Sequence, residues 1–185
     1  MRIAKSLRGD QETIVRFLAA LGGASILLNR SKAARPDYFI SAHNFIQEYI
    51  EQGFFKKEEF LVKVLEEGGF PANEGPIMLM RTDQKKSREA AIQLIDTAKQ
   101  WQDGDKVARG ELVWAASNYT SVLREHLERL KSRIFPLLEQ TISIDDEQKV
   151  AEDINNTVFE GSSKEGQEKY MKLVESLEED LGDWE

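Results

Sequence analysis

Apolar positions recur along this chain at intervals of three and four, the spacing that places side chains on one face of an α-helix. Ile14, Phe17, Leu18 and Leu21, then Ile26, Leu27 and Leu28, mark a first helix over about Asp10 to Asn29. Phe39, Ile40, Phe45, Ile46, Tyr49, Ile50, Phe60, Leu61 and Val64 mark a second from Pro36 to about Glu67. Ile77, Met80, Ala91, Leu94, Ile95 and Ala98 mark a third from Pro76 to Trp101. Trp114, Tyr119, Val122, Leu123, His126, Leu127, Leu130, Ile134 and Leu138 mark a fourth from Lys106 to Thr141, with Pro136 predicted to kink or end it.

Punctuation falls where these helices need it. Pro36 and Pro76 suit first helical turns, Gly68-Gly69 suits a left-handed helix ending, and Gln102-Asp103-Gly104-Asp105 breaks the third helix from the fourth. No stretch alternates as a strand would. Long helices joined by short links predict an all-α, antiparallel up-down four-helix bundle over residues 1–142. Residues 143–185 form a C-terminal helical appendage packed on it, with two shorter helices over Asp145 to Phe159 and Lys164 to Leu181, broken at Gly161-Ser162-Ser163. The Glu175, Glu178, Glu179, Asp180, Asp183 and Glu185 cluster reads as a solvated acidic end, and Trp184 as an aromatic that docks on the bundle or on a partner.

Composition narrows the function. A net charge of −8 argues against non-specific nucleic-acid binding and against anionic membranes, both of which need clustered Lys and Arg. Cysteine is absent, which removes disulfides, thiolate metal sites and thiol nucleophiles. The most apolar run, Phe17 to Leu28, contains Gly22 and Gly23 and falls short of the roughly 20 residues a membrane span needs. A cytoplasmic address is the expectation. No phosphate-cradling glycine motif is present, and Gly68-Gly69 before Phe-Pro is a helix ending.

Four blocks in order resemble the hemerythrin-like, HHE-type cation-binding family: "DQETIVRFL" (Asp10 to Leu18), "FFKKEEFL" (Phe54 to Leu61), the turn "EEGGFPANEGPIMLM" (Glu66 to Met80) and "LREHLERLKSRIFPLLE" (Leu123 to Glu139). The tail, with Phe159, Tyr170, Leu173 and Leu177, is similar to the short helices that follow such domains. The resemblance implies a carboxylate-bridged di-iron centre with His and Glu ligands converging from all four helices. Carried over station by station, the first-helix His falls on Gln11, the second-helix His on Phe55 with its carboxylate on Glu59, and the third-helix His on Gln84. In the fourth helix the His is His126, and the carboxylate station falls on Leu130. Glu59 and His126 are thus the remnant metal ligands. Gln is a weak ligand and Phe and Leu are none.

The expectation is that Glu59 and His126 share an interhelical hydrogen bond in a repacked core, joined by Gln11 and Gln84. Tyr119 falls on the His126 stripe as a core residue, Arg88 is placed to pair with a neighbouring helix's carboxylate, and His43 lies on another face. Glu48 shares the Phe55–Glu59 stripe but sits too far along it to substitute as a ligand. The leading reading is a non-enzymatic helical binding or interaction module that has lost its di-iron site, with no cofactor and with a protein partner, a second copy of the chain or a small ligand of unknown kind. The alternative is a divergent metalloprotein that binds iron and senses or handles dioxygen or nitric oxide. A weaker third is an enzyme using Glu59 and His126 as an acid–base pair.

Overall fold

The computed structural model describes residues 2–156 and 163–185. Four helical rods form a ring. The first is α1 (Arg2–Leu28). The second begins as α2 (Pro36–Phe45), passes through a π-helical segment (Ile46–Phe54) and continues as α3 (Phe55–Glu67). The third is α4 (Gly75–Gln102). The fourth runs from α5 (Lys106–Arg129) through a second π-helical segment (Leu130–Ile134) into α6 (Phe135–Thr141). Then come α7 (Ile144–Asn156) and α8 (Lys164–Gly182). No strand occurs among the described residues. The all-α four-helix bundle expected from periodicity is therefore the fold. Phe159, the end expected for the first tail helix, and the Gly161-Ser162 break lie outside the described residues.

α5 packs between α1 and α4, α4 packs on α2, and α7 and α8 lie across α1 and the second rod. Links stay short because their ends are capped. Gly69 takes φ +92°, and the amides of Gly69 and Phe70 bond the carbonyls of Glu66 and Leu65, each at 3.0 Å. Gly104 takes φ +102°, and the Asp105 side chain then accepts the Val107 amide at 2.9 Å to open α5. Arg109 reaches back across the bundle to bond the carbonyls of Leu28 and Ser31, tying the end of α1 to α5.

α1 differs from expectation by starting at Arg2. Leu7 is fully buried and continues the apolar stripe, while Lys5, Arg8 and Glu12 stay on the solvent side. Asp10, expected to open the helix, lies within it and is buried, because its charge is matched by a lysine described below. With those residues included, Lys5–Leu28 is long and apolar enough to cross a membrane by length and composition. Here its apolar side, from Leu7 to Leu28, forms one wall of the bundle core.

Pro136 leaves the fourth rod continuous. Proline offers no amide to the helical ladder, and the turn before it widens to the π form instead of breaking. The core at one end is an aromatic column. The Phe45 ring lies 4.3 Å from Phe17 and 4.8 Å from Tyr49, and Tyr170 of α8 meets Phe45 and Tyr49 edge-on. Trp184 folds back onto Tyr38 and Phe39, so it docks on its own bundle. Phe45→Ala should lower stability by about 3–5 kcal/mol, the usual cost of emptying a buried aromatic site, read as a lower urea midpoint with the slope unchanged.

Candidate functional site

Two consecutive residues of α4, Asp83 and Gln84, face inward together with Glu58 at the start of α3 and His126 near the end of α5; all are buried. His126 Nε2–H donates to Glu58 Oε1 at 2.5 Å and Nδ1–H donates to Asp83 Oδ2 at 3.1 Å. Gln84 Nε2 donates to the other Glu58 oxygen at 2.8 Å. Arg129, one turn after His126, grips both Asp83 oxygens at 2.9 Å. The result is a chain, Gln84–Glu58–His126–Asp83–Arg129, running from the core to the surface, where Arg129 also reaches Glu125.

A second buried pair lies between α1 and the second rod. Lys57 Nζ bonds Asp10 Oδ2 at 2.6 Å, and the Tyr49 hydroxyl donates to Asp10 Oδ1 at 3.2 Å. Burial and the Asp10 charge push the Tyr49 phenol well above the usual tyrosine range. Lys57 and Glu58 are adjacent in sequence, so one turn of α3 supplies a member to each buried ion group.

Ionised carboxylates only accept hydrogen bonds, so a ring that bonds one through each nitrogen carries both protons. Burial alone would push the His126 pKa down. The Glu58 charge, the hydrogen bonds to Asp83 and Glu58 and the Asp83 charge outweigh it, and the pKa stands at about 9. Burial raises Asp83, but hydrogen bonds and charges from His126 and Arg129 prevail and hold it below the usual carboxylate range.

The acid expected at this station is Glu59, and the structure places its neighbour there instead. Glu59 faces outward, and both its oxygens lie 3.4 Å from Arg81. Glu58, one residue earlier, meets His126. The expected Glu59–His126 bond is therefore replaced by Glu58–His126: Phe55 and Glu58, three residues apart, share the buried face of α3, and Glu59 falls at its edge. The π segment Ile46–Phe54 ends directly upstream of α3. Phe54 and Phe55 are both buried at that junction, and the Phe55 ring lies 5.7 Å from the imidazole, edge to face.

Gln84 joins the chain as expected. Gln11 does not: its buried Nε2 makes no hydrogen bond. Leu130 is buried without exposure, a purely apolar occupant of its station. Tyr119 is a fully buried core residue beside Ser87, Arg88 pairs with Glu51 at 2.7 Å, and Glu48 accepts from Tyr170 at 3.0 Å. His43 is half-buried and away from the chain, its pKa lowered by burial and by Lys99. Glu58, Asp83, Arg129, Asp10 and Lys57 are not among the site residues expected from the sequence. A signal existed in each helix, an ionisable residue on the apolar face.

The family model described as hemerythrin HHE cation-binding domain matches residues 2–138. The chain belongs to that family. No curated protein and no solved structure matches it. Within this hemerythrin-like frame, the buried carboxylates sit on opposite edges of one imidazole and do not converge on a shared point. Among the described residues no group of three or more His, Asp or Glu is arranged to hold a metal ion.

Two measurements separate buried from exposed charge here. Glu58→Gln leaves His126 with one carboxylate and should cost about 3–5 kcal/mol, whereas Glu59→Gln, which loses only an exposed pair with Arg81, should cost under about 1 kcal/mol. Equal losses in urea unfolding would overturn the register assigned to α3. The second concerns pH. The folded state holds the His126 proton to about pH 9, above the ordinary value of 6.5, so this stabilisation is complete below pH 6.5 and is lost as pH rises through 9. Asp83 has the opposite sign: its contribution is present above the ordinary 3.8 and fades as pH falls through its lowered value. Unfolding free energy should fall by roughly 2–3 kcal/mol between pH 6.5 and 9.5, and a His126→Gln variant should lack that slope.

Proposed function

We propose that this chain is a non-enzymatic hemerythrin-like binding or interaction module in which a buried ion chain stands where the family places its di-iron centre. The observation that carries the reading is the double engagement of His126. An imidazolium has no lone pair for a metal, and both nitrogens of this ring already donate to carboxylates.

The rest of the donor set points the same way. Phe55 and Leu130 offer no ligand atom, Gln84 spends its amide on Glu58, and Glu59 faces solvent beside Arg81. Cationic groups already balance the acids: Arg129 on Asp83 and Lys57 on Asp10. A pair of iron ions would have to displace those bonds and deprotonate His126, and it would gain one imidazole in return. The residues do not fit a di-iron centre.

Metal analysis of protein purified from iron-replete cells tests this reading. Iron is expected far below one equivalent per chain, with no oxo-bridged charge-transfer band, and a chelator should leave the melting temperature unchanged. Near-stoichiometric iron whose band disappears in His126→Ala would establish the iron-binding, gas-sensing alternative instead.

A further inference from the structure

A cleft of about 210 Å³ opens between the first π segment and α4, on the far side of Phe55 from His126. Its walls are apolar: Ile46, Ile50, Phe55 and Ala91, with Ile92 as a lip that is 56% exposed. Its rim carries one full charge of each sign, Arg88 and Glu51. Ser87, buried at 2% exposure, contributes a hydroxyl, and Gln47 an amide.

The two rim charges are only half used. Arg88 donates through Nε to a single oxygen of Glu51, at 2.7 Å, and the Arg88 side chain is 48% exposed. Among the described residues its terminal nitrogens have no hydrogen-bond partner, and neither does the second Glu51 oxygen. The guanidinium is also held in place by the Phe55 ring, 5.8 Å below it. An incoming carboxylate can therefore bond Arg88, and an incoming ammonium can bond Glu51, without breaking the pair that fixes both.

We infer that this cleft binds an α-amino acid with an apolar side chain: the carboxylate on Arg88, the ammonium on Glu51, and the side chain against Ile46, Ile50, Phe55 and Ile92. Charge selects the zwitterion. Because Arg88 and Glu51 already balance each other, a simple carboxylate would leave the site with an excess negative charge and a simple amine with an excess positive one. Size selects a small molecule, since the volume falls below the roughly 300 Å³ at which drug-sized ligands begin. The π segment supplies one wall by widening at that point, a feature frequent where helices carry function. This inference names a ligand for the binding-module reading but does not depend on the ion chain, so the metal assay and the experiment below can fail separately.

Calorimetric titration of the full chain with L-leucine and L-phenylalanine is the test, against 4-methylpentanoate, isopentylamine and glycine, which lack the ammonium, the carboxylate and the side chain of leucine. One of the two amino acids should bind saturably at one per chain, and each truncated analogue at least about tenfold more weakly, the factor a single lost charged contact produces. Arg88→Gln and Glu51→Gln should each weaken binding by at least the same factor while circular dichroism and melting temperature stay near those of the parent, because the pair is at the surface. Ile92→Ser should weaken it several-fold. Absence of saturable binding up to 20 mM by both amino acids overturns the inference. So does 4-methylpentanoate matching leucine, or binding that survives Arg88→Gln.

Discussion

A carboxylate has only lone pairs to offer, so the imidazole between Glu58 and Asp83 has to remain an imidazolium for both bonds to exist. That requirement organises the centre of the bundle. A single buried cation would be costly, and a single buried anion equally so, but here acids and bases alternate along one hydrogen-bonded line that ends at Arg129 near the surface. Glu58 comes from the second rod, Asp83 from the third and His126 from the fourth, so the line also binds three rods together. The first rod is tied in separately, through Asp10 and Lys57.

The two π segments flank two of the helices that carry this line. Ile46–Phe54 ends directly before α3, and Leu130–Ile134 begins directly after Arg129. In the second rod Glu58 rather than Glu59 lies inward, and two successive phenylalanines are buried at the junction. α8 bears on the same stretch from outside, with Tyr170 bonded to Glu48 and packed against Tyr49. The tail helix thus braces the segment that leads into α3.

The rods were legible because their ends are marked by residues with strong backbone preferences. Pro36, Gly68-Gly69, Pro76 and the Gly104-Asp105 pair stand where the helices start and stop. The start of α1 was not, since Asp10 resembles a helix opener and its burial depends on Lys57, 47 residues away. At the site, His126, Gln84, Phe55 and Leu130 were legible as inward positions. The choice between Glu58 and Glu59 was not, because adjacent acids at i+3 and i+4 from Phe55 differ only in angle. Asp83 and Arg129 were overlooked for another reason: neither occupies a position where the family would put a metal ligand.

Replacing a buried ion group with apolar side chains of similar volume is often neutral or stabilising, so stability alone does not explain this chain of charges. Direction does. An apolar residue at position 58 would pack inward without selecting a partner, since apolar burial is non-directional. A carboxylate that meets an imidazolium has a fixed partner, and on α3 that carboxylate is Glu58. The ion chain therefore fixes how α3 faces α4 and α5. Phe55 follows from the same constraint. With Glu58 aimed at the imidazole, its ring falls between His126 and the cleft beside α4, and Arg88 rests on it from the other side. Loosening either partner would move the wall that separates a sealed ionic core from an open apolar cleft.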